Sequence, residues 1–199
     1  MARARRRWRT AAALAWILLT AGLTRAGWAQ HYVPGNDPQL PRIRYADSLD
    51  SQNDRCMVAG NRLNLEIRPT YVNGLPIGFC CSSCPGIFAH QPERYLRQRH
   101  MVLPSALDSA RPARLEPAYR ARVNHELYYF ADSTLLRRFQ ADPLRYCGPV
   151  TDPVSRRRFR PSSASPHMAF RGRPYFFENR LDLEIFSALP DSFADRRGK

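Results

Sequence analysis

One frame is written three times in this chain of 199 residues, without a gap, at spacings of 51 and 47 residues. The copies are YVNGLPIGFCCSSCPGIFAHQPERYL (71–96), RVNHELYYFADSTLLRRFQADPLRYC (122–147) and AFRGRPYFFENRLDLEIFSALPDSFA (169–194). Phe79, Phe130 and Phe177 share a column, as do Phe88, Phe139 and Phe186; Pro92, Pro143 and Pro190; and Tyr95, Tyr146 and Phe193. A repeat constrains a fold more than local propensity does, because each copy must close the same small core. Within each copy a turn (Asn73-Gly74, Asn124-His125, Arg171-Gly172) sits between two short apolar stretches, and Gly and Asn tolerate the positive φ of tight hairpin turns. An aromatic strand then runs into a polar helix start, where Asp132 or Ser133 can cap, and proline ends a helix of about two to three turns. The expected fold is therefore α+β, with small tandem units, each a β-hairpin followed by a short α-helix. The aromatic columns are expected to be their cores.

Upstream of the repeats, residues Arg3 to Arg9 form a basic stretch, Ala11 to Leu23 an apolar run too short for an ordinary membrane span, and Gly27 and Ala29 flank a plausible cut before Gln30. This reads as a secretory signal over 1–29, and the expectation is a periplasmic or secreted mature chain without a transmembrane span. Losing 1–29 removes six arginines and lowers the net charge from +14 to +8. Lys199 is the sole lysine, so the surplus is arginine, suited to pairing with carboxylate or phosphate. An exported chain seldom meets nucleic acid, so none is expected as a partner, and the charge reads as a solvated surface. Residues 30–53, rich in Pro, Asn, Asp and Ser without a period, read as an extended lead-in. The units are expected at 54–98, 99–146 and 147–199, the last with a basic tail.

The chemistry-bearing residues crowd into the first unit. Five cysteines are too few for a disulfide scaffold. Cys80, Cys81 and Cys84 stand at a helix start, where pairs three and four apart share one side and the helix dipole favours thiolate. Cys56 lies in a turn-rich stretch, DRCMVAGNRL, that precedes the hairpin. A knuckle with one thiolate, a hairpin, and a helix N-terminus with more is how a small domain gathers sulfur around one ion. In the other copies the thiolate columns hold Ala131, Asp132 and Leu135, and Glu178, Asn179 and Asp182, so one ion is expected and not three.

On these residues the chain resembles the YHS and TRASH families of small metal-binding domains. The TRASH pattern of one cysteine, about twenty residues, then C-x3-C is met by Cys56, Cys80 and Cys84. The YHS opening is similar to Cys56-Met57-Val58-Ala59-Gly60, with Ala59 where a second cysteine can stand, and its close to Phe88, Pro92, Glu93 and Tyr95. The later units look like divergent copies. The resemblance implies treble-clef-like units and a soft heavy-metal ion, Zn or Cu(I), held by Cys56, Cys80, Cys84 and, as a further candidate, Cys81, in metal handling or sensing, with an extracytoplasmic protein as a further partner.

Two other readings stay open. An oxidising compartment allows Cys56 to bridge Cys80 or Cys84, giving a disulfide-stabilised scaffold without metal. Cys81-Ser82-Ser83-Cys84 is also the C-x-x-C of thiol oxidoreductases, but the βαβ context that gives that motif its meaning is missing. No catalytic residue and no enzyme activity are expected. His90 can reach the cluster only as a fourth ligand, and Cys147 reads as a ligand supplied by the second unit or as a small buried apolar residue.

Overall fold

The turn asparagines position everything else. In the computed structural model, which describes residues 42–194, the first hairpin pairs β1 (Thr70–Val72) with β2 (Leu75–Ile77) across Asn73-Gly74, whose φ values of 51° and 78° are both left-handed. Helix α1 (Cys84–His90) follows, then α2 (Pro92–Gln98). A small ribbon of β3 (Pro104–Ser105) and β4 (Asp108–Pro112) leads to the second hairpin, β5 (Arg120–Val123) and β6 (Glu126–Tyr129), and to α3 (Ser133–Ala141) and α4 (Pro143–Tyr146). A second ribbon, β7 (Val150–Thr151) and β8 (Arg158–Phe159), leads to β9 (His167–Phe170), β10 (Arg173–Phe176), α5 (Arg180–Ala188) and α6 (Pro190–Phe193). The architecture is α+β, with small sheets and short helices. The expected signal segment 1–29, residues 30–41 of the lead-in and residues 195–199 of the tail lie outside the described residues. Among those described, no helix is long and apolar enough to cross a membrane.

The proline column does two things in each copy. Pro92, Pro143 and Pro190 each stand in the first turn of a second helix, where a missing N–H costs nothing, so the residue that ends one helix starts the next. The aromatic columns pack alike: Phe79–Phe88, Phe130–Phe139 and Phe177–Phe186 stand 5.5, 5.2 and 5.2 Å apart between ring centroids, all buried.

The hairpins interlock. Strands run β2-β1-β6-β5, with β1 and β6 joined in parallel at Val72 and Leu127. The peptide N–H of Asn73 donates to the Leu127 carbonyl (2.8 Å) and its Oδ1 accepts from the Tyr129 N–H (2.8 Å). Its Nδ2 donates to the Pro104 carbonyl (2.6 Å). Asn124 repeats this one unit later: its N–H donates to Pro174 O (3.2 Å), its Oδ1 accepts from Phe176 N–H (2.8 Å), and its Nδ2 donates to Phe176 O (2.9 Å) and Thr151 O (2.8 Å). Asn53 does the same for the first unit, from the lead-in. Its Oδ1 accepts from Gly78 N–H (2.8 Å) and its Nδ2 donates to Gly78 O (2.9 Å) and Arg55 O (2.7 Å). Gly78, Tyr129 and Phe176 are one column of the repeat. Residues 42–53 are thus tied to the first hairpin, with Tyr45, Ser51 and Asn53 buried.

Two arginines add cross-links. Arg120 on β5 pairs with buried Glu93 on α2, which also accepts from Tyr129 Oη (2.9 Å). Arg158 on β8 lies 3.4 Å from the centroid of the Tyr71 ring and pairs with Glu126 Oε1 (3.0 Å) and Asp47 Oδ2 (3.2 Å), joining the first two copies and the lead-in. Leu127 and Tyr129 of β6 belong to the core that holds Phe79 and Phe88, so the first unit is completed by the second.

Candidate metal centre

Three thiols meet beneath the first hairpin. The segment after Arg55 turns back on itself: Cys56 N–H donates to Asn61 O (2.8 Å) and Gly60 N–H to Cys56 O (2.8 Å), with Gly60 left-handed at φ 75°. This knuckle brings Cys56 Sγ to Cys80, which follows β2 and Phe79, and to Cys84, the first residue of α1. The sulfurs of Cys56, Cys80 and Cys84 all lie within 4.8 Å of one another. Cys80 and Cys84 are 3.8 Å apart, close to the edge of about 3.8 Å that metal–sulfur bonds of about 2.3 Å give a tetrahedron. Cys56 and Cys84 are buried and Cys80 is half-buried. Three sulfurs so placed suit a soft ion, complete for a trigonal one and one ligand short for a tetrahedral one.

The expectation that Cys80 and Cys81 join the helix needs correction. Helix α1 begins at Cys84, because Pro85 has no N–H to give the Cys81 carbonyl and is tolerated only in a first turn. Cys80 and Cys81 occupy the preceding turn. Cys81 Sγ is 3.2 Å from Cys84 Sγ and 3.6 Å from Ser83 Oγ, but it is exposed and outside the mutual trio. Its column mates, Asp132 and Asn179, cap α3 and α5 through the Leu135 and Asp182 N–H groups. Cys147 does not approach: it is buried in the second core, with its Sγ facing the Leu144 and Gly148 carbonyls, and burial pushes its thiol up to about 11. His90 ends α1, about 9 Å along the axis from Cys84 at 1.5 Å per residue, and is not in the trio.

The electrostatics of the thiols are uneven. Burial alone would raise Cys56, yet the N–H groups of Ala59, Cys80 and Val58 directed at its sulfur outweigh it and bring the thiol below its ordinary value. Cys80 and Cys84 are raised, first by burial and then by the neighbouring thiols. Cys81 is lowered to about 7, first by its hydrogen bond with Cys84 and then by that with Ser83. Crowded thiols suppress one another's ionisation, and a central cation reverses that penalty.

The sister units close the same gap without sulfur. At the place of Cys56, before the second hairpin, stands buried Ser105, whose Oγ accepts from the Ala131 N–H (3.1 Å). Before the third stands buried Asp152, whose knuckle repeats the bonds around Cys56: Asp152 N–H to Arg157 O (2.9 Å) and Arg156 N–H to Asp152 O (3.1 Å). Its carboxylate accepts from Val154 and Ser155 and, at 2.8 Å, from the Glu178 N–H. Ala131 and Glu178 occupy the Cys80 column. Neither Ser105 nor Asp152 was singled out from sequence, although a polar residue stands 23 to 25 positions before the Phe79 column in all three copies. Compared with family models, curated proteins and solved structures, the chain matches none.

Proposed function

We propose that this is an exported metal-handling or metal-sensing protein that holds one thiophilic ion, Cu(I) or Zn, on Cys56, Cys80 and Cys84 of its first unit. The observation that carries the reading is the convergence of these three sulfurs, from a knuckle, a strand end and a helix start far apart in sequence, within 4.8 Å. The YHS- and TRASH-like spacing of the same residues supports it. The ion would supply the positive charge that stabilises three adjacent thiolates, and the N–H groups around Cys56 would hold the first of them ionised. The sister units reach the same closure with Ser105 and Asp152, which favours an exchangeable ion over one needed to fold. A disulfide-braced scaffold, with Cys56 bridged to Cys80 or Cys84, is the second reading, favoured by the Cys56 sulfur lying within 4.8 Å of both.

Native mass spectrometry of reduced chain lacking residues 1–29, with Zn and with Cu(I), decides between them. One ion per chain is expected. Serine at Cys56, Cys80 or Cys84 should each weaken binding by about 100-fold or more, since charge and geometry are lost together. Cys147→Ala should bind as the parent does. Three ions per chain, or no ion together with a mass 2 Da lower before reduction, would refute the metal reading, the loss of two hydrogens being the mark of one disulfide.

A further inference from the structure

The first unit carries one thiol more than its trio of Cys56, Cys80 and Cys84. Cys81 is exposed while Cys56 and Cys84 are buried, and it contacts Cys84 at 3.2 Å, closer than Cys80 does at 3.8 Å. Cys84 therefore belongs to two sulfur pairs at once, one facing inward and one facing solvent. We propose that Cys81 and Cys84 form the port through which the ion enters and leaves, by direct exchange with thiolates of a donor or acceptor. This rests on the metal reading above and adds to it the route and the chemistry of the partner.

The surface around Cys81 suits close approach by another sulfur-bearing group. Ser82, Ser83 and Gly86 are exposed and small, Ile87 beside them is 44% exposed, and a side chain built on Gly86 would meet nothing within 4 Å. On α3 and α5 the Gly86 column holds Arg137 and Glu184, long charged residues that would stand in the way. Pro85 fixes the geometry, because it keeps Cys81 out of the helix and so out of the buried row.

Each exchange forms one metal–sulfur bond as one breaks, a final step adds a third sulfur, and the ion keeps its oxidation state throughout. On loading, the Cys81 thiolate binds the ion as the first donor thiolate leaves; Cys84 then binds as the second leaves. Cys80, half-buried and already beside Cys84, binds as Cys81 is released, and Cys56 then adds without displacing a ligand, taking the ion from two sulfurs to three. The protons of the cysteine thiols pass to water or to the departing donor thiolates. On unloading the order reverses, with an acceptor thiolate taking the place of the donor's.

The simpler role for Cys81 is that of its column mates Asp132 and Asn179, which cap helices. Two variants separate the roles, because aspartate caps but is not a ligand for soft Cu(I), and serine supplies neither thiolate nor charge. The test uses the full mature chain and Cu(I) delivered as its glutathione complex, with equilibrium competition for affinity and stopped-flow for transfer. Both Cys81→Ser and Cys81→Asp should load and unload at least about tenfold more slowly while Kd changes by less than about threefold, whereas Cys56→Ser should lose affinity. Transfer at the parental rate in either variant, or a loss of affinity matching that of Cys56→Ser, would overturn the port. No uptake by the parent chain would overturn the metal reading itself, and the port with it.

Discussion

Replacing Asn124 with alanine tests whether the three units are one interlocked structure. The side chain is fully buried, and its amide satisfies the Phe176 N–H, the Phe176 carbonyl and the Thr151 carbonyl at 2.8 to 2.9 Å. Truncation orphans all three, and a buried backbone group left without a partner costs about 1–3 kcal/mol. Thr151 is half-buried, so water can relieve part of that. Alanine must also hold φ near 51°, which costs an L-residue with a Cβ about 1–2 kcal/mol and which asparagine tolerates. Together these predict a loss of about 3–6 kcal/mol, a large fraction of the 5–15 kcal/mol typical of a domain. Asn124→Gly should recover only about 1 kcal/mol of it, because glycine removes the strain and not the orphans. Arg171 is the control: it occupies the same turn position at the same φ of 51°, but its side chain makes an exposed pair with Asp191 in place of an amide clamp. Arg171→Ala should cost less than about 1 kcal/mol, because arginine already bears the same backbone strain and only a weak surface pair is lost. Urea unfolding followed by circular dichroism measures all three, and the slope reports whether the units still unfold together. An Asn124→Ala loss below about 1 kcal/mol, or one equal to that of Arg171→Ala, would refute the interlock.

Glu126 gives stability a pH dependence. Burial raises its carboxyl to about 7 from 4.5, although Thr151 and Arg158 donate to its Oε1 and pull the other way, with Asp47, Tyr71 and Tyr128 nearby. A folded value above the unfolded one means the fold favours the protonated form, so stability should fall as pH rises from about 4.5 to about 7; a rise over that window, or an unchanged slope in Glu126→Gln, refutes this. Removing the ion with a chelator should leave the far-ultraviolet spectrum and cooperative unfolding intact, at a cost of about 4 kcal/mol if free metal stood at 1,000 times Kd. Loss of the spectrum on chelation would show that the ion is structural.

The parts of the fold that were legible in sequence are those written in columns. Phe79, Phe88, Pro92 and their counterparts recur at fixed spacing because each copy needs the same ring pair and the same helix break, so their burial followed from the alignment. The trio was legible for another reason, the spacing of Cys56, Cys80 and Cys84 along the chain, and its sulfurs do converge. The start of α1 was misplaced because the spacing of Cys80 and Cys84 was read as helical without giving Pro85 its weight. The clamps were hidden for a different reason. Asn53 lies in a stretch whose composition looks like a linker, and Asn73 and Asn124 are fully explained as turn formers until their amides are seen to bind the next unit. The pairing of β1 with β6 rests on strands of three and four residues, too short to announce a neighbour 55 positions away.

The contrast between Cys56, Ser105 and Asp152 bears on why an ion would be useful only once. Each residue faces the first backbone N–H beyond the aromatic strand, and the gap is closed by one hydrogen bond from Ala131 to Ser105 or from Glu178 to Asp152. A hydroxyl or a carboxylate is a strong acceptor, so those two closures need nothing more, and Asp152 ties its own knuckle as well through Val154 and Ser155. A neutral thiol is a weak acceptor. Its closure gains strength only as thiolate, and the raised Cys80 and Cys84 show that three thiolates do not form together unaided. The first unit thus keeps a shape that its neighbours hold by hydrogen bonds, and gathers at its centre three sulfurs whose negative charge, once ionised, a single soft cation would offset. Because β6 and Asn53 already brace that unit from either side, filling and emptying the site need not rebuild it, which is the property that reversible metal handling requires.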